Sequence, residues 1–344
     1  MKILNCGIVA LATLLATTSL ASAEGELNIY NWGNYTSPDM IKKFEDKYKV
    51  KVTITDYDSN DTALAKVRQG GSGFDMAVPS QNYLPIWIQE GLLLETDPGK
   101  MENFKNVAKE WADPEFDPGR KYSVPWAMGI VGTVVNTDVY KGDINTWGII
   151  FNPPDELKGK VNVVPEMIDV MDAAILYNGG KKCTGDLTIL KKVRDTLLAA
   201  KPNWIAMEYG TIQKMGSGDF AASSDWNGSA FRQRLANPKI HFGYPKEGFV
   251  NWSDNLVVLK DAKNVENAKL FQDFMMDPEN AGMNSGFHRY ANGIAGSEKY
   301  MPADMKDAPE IKVPDEFKSV GVPSQTCPPD VQALYTKIWT ELQK

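Results

Sequence analysis

The chain has 344 residues, of which 43% are hydrophobic and 24% are charged, and its formal net charge is −7. This negative balance argues against nucleic acid as a partner, because phosphate binding needs an excess of basic residues. The length also exceeds what one hydrophobic core usually spans. We therefore expect two lobes of about 100 to 200 residues each, with a cleft between them.

The N-terminus has the pattern of a secretion leader. Lys2 is followed by an uncharged stretch at 8–20 and by the small-residue sequence ASA at 21–23, which is typical of signal peptidase cleavage. We expect residues 1–23 to be a signal peptide and the mature protein, with a net charge of −8, to begin near Glu24 in the periplasm. The apolar stretch is shorter than the roughly 20 residues that cross a bilayer.

The segments that follow alternate between strand-like and helix-like patterns. In chain order they are a strand at 27–30, a helix at 39–48, a strand at 50–55, a helix at 62–69 and a strand at 76–78. This alternation predicts the α/β class, with a mainly parallel sheet flanked by helices. Ligands of such sheets bind beyond the carboxyl ends of the strands.

A second block, residues 134–251, repeats this pattern before the chain returns with a strand at 255–259 and a helix at 264–276. We therefore expect hinge crossovers between two lobes, each with its own sheet. The expected division is 24–133 plus 254–312 for lobe 1, and 134–253 plus 313–344 for lobe 2.

Aromatic and polar side chains gather where the predicted strands end. The members of this set are Trp32, Tyr35, Ser80, Tyr83, Trp126, Asp225, Trp226, Trp252 and Asp254. An ammonium group gains about 2 kcal/mol at best from each desolvated ring face, and carboxylates add charge-assisted hydrogen bonds. The set predicts a site for an amine, although a lone tryptophan more often fills a core.

Two further acids, Glu166 and Asp169, lie three residues apart at a predicted helix start and share one face. Solvated acids are the ordinary occupants of a first helical turn. The functional alternative is a second carboxylate pair for the amine site.

Catalytic and metal-binding patterns are weak. The two histidines, His241 and His288, have no metal-ligand spacing, and no nucleophile elbow, Walker loop or dinucleotide fingerprint occurs. We expect no enzyme, metal or cofactor. A secreted hydrolase is the alternative of another class, since paired carboxylates could meet in three dimensions.

Removal of Cys6 with the leader leaves two cysteines, Cys183 and Cys327. An even pair in an exported protein favours a disulfide, which would connect the middle of the chain to its C-terminal segment. Two separate small apolar residues are the alternative, because the sequence gives no distance between them.

At these same segments the chain resembles the bacterial periplasmic spermidine/putrescine-binding proteins, the solute receptors of polyamine ABC importers. The resemblance is carried by YNWGNY at 30–35, FDMAVPS at 74–80, DWNGSAF at 225–231, YPKEG at 244–248 and NWSDNLVVLKDAKN at 251–264. These motifs occur in order and extend over nearly the whole mature chain.

The resemblance implies a monomeric two-lobed α/β receptor that closes on a linear polyamine and delivers it to an inner-membrane ABC permease. It assigns ring walls to Trp32, Tyr35, Trp226 and Trp252, the amine-binding carboxylate to Asp254, and further contacts to Ser80 and Tyr290. Glu166 and Asp169 approximate the family's second acidic pair.

Two departures concern the identity of the ligand. Asn34 stands where the family usually has an acid, and Asn82 stands at a family tyrosine position with Tyr83 beside it. A ligand with one amine and an anionic far end, such as an opine, is therefore a second hypothesis. Its anionic end would need a cation such as Arg232 or Arg289.

Overall fold

A computed structural model describes residues 25–344, so the predicted leader lies outside the described part. The strands are β1 (Gly25–Trp32), β2 (Val50–Tyr57), β3 (Met76–Ala77), β4 (Ser123–Asn136), β5 (Val161–Val163), β6 (Trp204–Met207), β7 (Ala222–Trp226), β8 (Ile240–Gly243), β9 (Phe249–Val258) and β10 (Gly321–Pro323). The helices are α1 (Pro38–Tyr48), α2 (Asn60–Arg68), α3 (Leu84–Gln89), α4 (Gly148–Phe151), α5 (Met167–Tyr177), α6 (Leu187–Ala200), α7 (Thr211–Ser217), α8 (Asn227–Ala236), α9 (Val265–Met275), α10 (Pro278–His288) and α11 (Pro329–Leu342).

The strands follow the order β2-β1-β3-β9-β4-β7-β5-β6, with β10 beside β9 and β8 beside β4. Strand β1 is parallel to β2 and β3, and β5 is parallel to β6 and β7. The predicted α/β class is confirmed. Antiparallel pairs occur where β4 and β9 run together through the middle.

Strand β4 connects two groups of strands, which we call the first lobe (β1–β3 and β9) and the second lobe (β5–β8). Residues 123–130 of β4 pair with β9, whereas residues 131–136 pair with β7 and β8. The chain therefore passes from one lobe to the other inside a continuous strand. The proposed division at 133/134 and 253/254 falls within β4 and β9 and stays a prediction.

Helix α1 shows why the first lobe folds as its sequence predicts. The Ser37 side chain caps the helix by accepting a hydrogen bond from the Met40 amide, and Pro38 occupies the first helical position. Met40 and Phe44 are fully buried on its inner face. This packing fixes the turn between β1 and α1, which contributes to the cleft described below.

Helix α2 begins two residues earlier than the expected 62–69. Ser59 is its N-cap and accepts a hydrogen bond from the amide of Thr62. Capping therefore brings Asn60 into the first turn of the helix, where its backbone N–H points away from the helix without an intrahelical partner.

Cys183 and Cys327 form a disulfide with a Cα–Cα distance of 5.1 Å across a sequence separation of 144 residues. The expected pairing is confirmed. The bond joins the loop between α5 and α6 to the segment before α11. In the same loop, the backbone oxygen of Thr184 accepts a hydrogen bond of 3.3 Å from the Tyr335 hydroxyl on α11.

Within residues 25–344, none of the helices is both long enough and apolar enough to span a membrane.

Replacing both cysteines by alanine should lower the free energy of unfolding by about 2–4 kcal/mol, because the bond restricts a long loop in the unfolded chain. Urea denaturation of the oxidised protein and the double variant measures this difference. Reduced wild type is the matched control and should behave like the double variant. Equal stability of oxidised and reduced protein would contradict the prediction.

Candidate functional site

A deep cleft lies between the two lobes, at the carboxyl ends of β1 and β7 and beside the middle of β9. Its empty volume is about 770 Å³, including open solvent at its mouth. The residues that line it are Trp32, Gly33, Asn34, Tyr35, Asn60, Ser80, Asn82, Val164, Glu166, Ile168, Asp169, Tyr209, Gly210, Thr211, Ile212, Trp226, Ser229, Arg232, Trp252, Asp254, Tyr290 and Ser324.

Asp254 is the acid that the first lobe contributes. It lies on β9 opposite Ser80, and its carboxylate accepts hydrogen bonds from the Ser80 hydroxyl at 2.6 Å and the Tyr35 hydroxyl at 2.8 Å. Burial raises the pKa of Asp254 to about 7, and these two donors only partly offset that effect. The cleft therefore holds a carboxyl group whose charge is poorly compensated.

Glu166 is the N-cap residue of α5 and reaches from the second lobe to the first. One carboxylate oxygen accepts a hydrogen bond of 3.0 Å from the Asn60 amide, whereas the other is buried without any hydrogen-bond partner. Burial raises the pKa of Glu166 well above its usual range. The Asn60 side chain in turn donates to Ser80 at 3.0 Å, which connects Glu166 to the surroundings of Asp254.

Asp169 follows one turn later on α5 and also lines the cleft. Its carboxylate accepts a hydrogen bond of 2.9 Å from the indole nitrogen of Trp226. Burial raises the pKa of Asp169, and the indole donor acts against this effect. The hydrogen bond orients the Trp226 ring along the wall of the cleft.

Aromatic rings form two walls. Trp32 and Trp226 meet edge to face at 5.9 Å between ring centroids, and Tyr209 packs against both, at 6.4 and 5.8 Å. On the other wall, Tyr290 contacts Trp252 at 5.1 Å and Tyr35 at 5.6 Å. The two walls and the acids enclose a space that suits an apolar chain with charged ends.

Hydrogen bonds connect the lobes across the mouth of the cleft. The Tyr209 hydroxyl donates to the backbone oxygen of Gly33, and the Arg232 guanidinium donates to that of Asn34, each at 3.0 Å. With the Asn60–Glu166 contact, these bonds hold the two lobes together around the cleft.

The structure brings together nine of the twelve residues proposed from the sequence. They are Trp32, Tyr35, Ser80, Glu166, Asp169, Trp226, Trp252, Asp254 and Tyr290. Their separation in sequence reaches more than two hundred residues, and their role in binding a ligand stays a prediction.

The other three proposed residues do not line the cleft. Trp126 is 1% exposed and packs behind Tyr35, because a bulge in β4 between 125 and 127 changes the direction of the strand. Tyr83 directs its hydroxyl to Asp61 at 2.9 Å, while its neighbour Asn82 reaches the cleft. Asp225 is buried behind Trp226, where the side chains of Thr211 and Gln233 donate to it.

Sequence reasoning missed Tyr209, Asn60 and Thr211. Tyr209 follows the short strand β6, so the rule that ligand residues follow strands would have found it if that strand had been recognised. Asn60 was missed because the sequence predicted that α2 begins at residue 62, two residues too late. Of the two arginines considered for an anionic ligand end, Arg232 lines the cleft, whereas Arg289 pairs with Asp304 at 2.7 Å.

The acids of the cleft suit an organic cation. Among residues 25–344, Asp254, Glu166 and Asp169 take part in no salt bridge, and no group of three or more metal-ligating side chains is present. A buried carboxylate without a countercharge is costly, so a bound ammonium group would relieve that cost.

Comparison with known proteins gives a consistent result. Residues 39–313 match the family model described as bacterial extracellular solute-binding protein. A putrescine/cadaverine-binding protein of Pseudomonas aeruginosa is 31% identical over 286 residues, covering 80% of this chain and 81% of that protein. A putrescine-binding periplasmic protein of the same species is 28% identical, covering 96% and 97%.

A solved structure from Listeria monocytogenes, described provisionally as a spermidine/putrescine ABC transporter, superposes with a TM-score of 0.86. It is 29% identical and covers 92% of this chain and 98% of that one. The predicted two-lobed architecture is confirmed by this neighbour.

Asp254→Asn should raise the stability of the ligand-free protein at pH 8. Between the pKa of an unfolded aspartate, about 4, and the folded value of about 7, the folded protein binds more protons than the unfolded chain. The contribution of Asp254 to stability therefore falls as the pH rises. We expect a gain of at least about 1 kcal/mol at pH 8 and little change at pH 5.

Urea denaturation at the two pH values measures this effect. Asp172→Asn is the matched control, because Asp172 is buried but paired with Lys182, and its loss should destabilise at both pH values. Destabilisation by Asp254→Asn at pH 8 would contradict the prediction.

Proposed function

The chain belongs to the bacterial extracellular solute-binding protein family, and we propose that it is the periplasmic receptor of an ABC importer that captures a polyamine of the putrescine or spermidine type. The observation that carries this proposal is that two buried carboxyl groups in the cleft, Asp254 and Glu166, form no salt bridge within the described part of the chain, and one oxygen of Glu166 has no hydrogen-bond partner there. The relatives named above are described as binding putrescine, and the family is one of solute receptors.

The two ends of a diamine would meet acids from different lobes. One ammonium would lie against Asp254, where Ser80 and Tyr35 already orient the carboxylate. The other would lie against Glu166 and Asp169 on α5. The free oxygen of Glu166 supplies an acceptor that no protein group uses. Each ammonium would gain charge-assisted hydrogen bonds in an environment with little water.

The aromatic walls would hold the methylene chain between the ammonium groups. Trp32, Trp226 and Trp252 present large apolar surfaces, and their ring faces attract cations. The walls would also exclude water from the charged ends. An amine with an apolar chain between two charged ends would match this arrangement of acids and rings.

A bound diamine would stabilise the closed arrangement of the lobes, because it contacts Asp254 in the first lobe and α5 in the second. A ligand shifts such an equilibrium by its difference in affinity for the two states. We propose that the permease meets the lobe surfaces in the closed state. No covalent step is involved, and the receptor acts as a monomer in the periplasm.

A zwitterion such as an opine is the second candidate ligand, and the observation that favours it is the position of Arg232 in the lining of the cleft. Burial lowers the pKa of the Arg232 guanidinium. Its NH1 group donates to Asn34, and its remaining donors could meet a carboxylate.

Putrescine at 100 times its dissociation constant should stabilise the protein by about 2.7 kcal/mol.

Asp254→Asn should weaken putrescine binding by about 2 kcal/mol or more, which is about thirtyfold in Kd, because one ammonium loses its carboxylate. Asp58→Asn, at an exposed acid outside the cleft, is the matched control and should bind as the wild type does.

Calorimetric titration with putrescine, spermidine and an opine measures these affinities. Mass spectrometry of the released compound should recover it intact, whereas a hydrolase would release product. Tighter binding of the opine would favour the second candidate ligand, and no binding of any amine would refute the proposal.

Putrescine affinity should fall by at least about tenfold between pH 8 and pH 6, because Asp254, with a pKa of about 7, must lose its proton to bind an ammonium, and Asp169 has a raised pKa as well. The ammonium groups, with pKa values near 10, stay charged across this range. Titration in buffers of different ionisation enthalpy counts the protons released at pH 6. Asp254→Asn should release fewer protons, and an affinity independent of pH would contradict the assignment.

A further inference from the structure

Helix α5 carries a third acid beyond the two that line the cleft. Glu166, Asp169 and Asp172 follow one another at intervals of three residues, so they form a column along one side of the helix. Glu166 and Asp169 line the cleft, whereas Asp172 does not. The column therefore runs from the ligand site into the second lobe.

Asp172 is bound to a lysine of the chain itself. The ammonium of Lys182 donates a hydrogen bond to one carboxylate oxygen of Asp172, and the other oxygen has no partner. The Asp172 side chain is 1% exposed and that of Lys182 is 6% exposed. Lysine is rarely buried unless it is paired, so the contact with Asp172 accounts for the burial of the Lys182 ammonium.

The Lys182 charge also acts on Asp169. Burial and the charge of Asp172 raise the pKa of Asp169, whereas the Trp226 indole and the Lys182 ammonium lower it. The contact with Asp172 holds the Lys182 ammonium near Asp169, because residues three apart on a helix are neighbours on its surface. Lys182 ends in the same chemical group, a primary ammonium, as each end of a diamine.

The loop that carries Lys182 is fixed at the next residue. Cys183 forms the disulfide with Cys327 and has a left-handed backbone with φ of 58°. Such a conformation is uncommon for a residue other than glycine and persists where the surrounding structure holds it. The Tyr335 hydroxyl holds Thr184 on the other side. These contacts restrict the position from which the Lys182 side chain extends.

We propose that Asp172 is a positioning residue for ligand recognition: it retains the ammonium of Lys182 one helical turn away from Asp169 and leaves Asp169 open to the ammonium of the ligand. The inference rests on the proposed function, because it assigns Asp169 to an amine. Without Asp172, Lys182 becomes an internal competitor for the same carboxylate.

A double-mutant cycle tests this inference with putrescine as the probe. Asp172→Asn should weaken putrescine binding by on the order of tenfold or more, because the freed ammonium turns to Asp169. Adding Lys182→Met should restore the affinity to within about threefold of the wild type, since the competitor is then gone. A merely structural role for the ion pair predicts the same recovery, but it also predicts a loss of affinity in Lys182→Met alone, because that variant breaks the same pair.

Lys182→Met alone should also bind within about threefold of the wild type, because Asp172 then takes up a proton. Lys181→Met is the matched control, since Lys181 is the exposed neighbour of Lys182 in the same loop. If Asp172→Asn does not fold, a tenfold loss of affinity in folded Lys182→Met overturns the inference by itself.

The indole N–H resonance of Trp226 gives a readout without ligand, because this group donates to Asp169. The resonance, assigned with Trp226→Phe, should shift in ligand-free Asp172→Asn and return in the double variant. Wild-type affinity of Asp172→Asn, or no recovery in a folded double variant, overturns the inference. If the wild type binds no amine, the proposed function fails, while the Trp226 resonance still decides the role of Asp172.

Discussion

The cleft depends on carboxyl groups that are buried without a countercharge from the chain. Asp254 receives only two hydroxyl donors, and one oxygen of Glu166 receives none. In an ordinary core such groups would be removed or paired, because desolvation of a charge costs several kcal/mol. The walls of tryptophan and tyrosine increase this cost by excluding water. The free protein is thus less stable than it could be, and a cationic ligand offsets the difference.

Strands β4 and β9 determine where these groups meet. Because β4 pairs with β9 of the first lobe and with β7 of the second, residues near this crossing are close to both lobes at once. Trp252 and Asp254 lie on β9 at this crossing, with Ser80 paired opposite Asp254. Helix α5 approaches from the second lobe and places Glu166 against Asn60. A small rotation at the crossing would separate the acids of the two lobes.

Much of this could be predicted from local sequence. Alternating strand and helix patterns predict the α/β class, and the ends of strands predict cleft residues such as Trp32 and Trp226. Asp254 also lines the cleft, but it lies inside β9, which begins at 249 and not at the expected 255. The errors have local physical causes. Trp126 lies in the core at the bulge in β4. The Ser59 cap makes α2 begin at Asn60, which places Asn60 beside the cleft. No sequence pattern reports that Asp225 is satisfied by Thr211 and Gln233, because these contacts form only in three dimensions.

Asn34 shows why side-chain identity alone misjudges a site. The resemblance to polyamine receptors implies an acid at this position, so the amide of Asn34 predicts weaker binding of an ammonium group. Its backbone has φ of 57°, a left-handed conformation that asparagine and aspartate adopt more readily than most residues. Its backbone oxygen accepts the hydrogen bond from Arg232 that connects the lobes. The turn therefore requires a residue that tolerates this conformation, and the contact that connects the lobes uses the backbone of that residue, so the contact does not depend on whether the side chain is an amide or an acid.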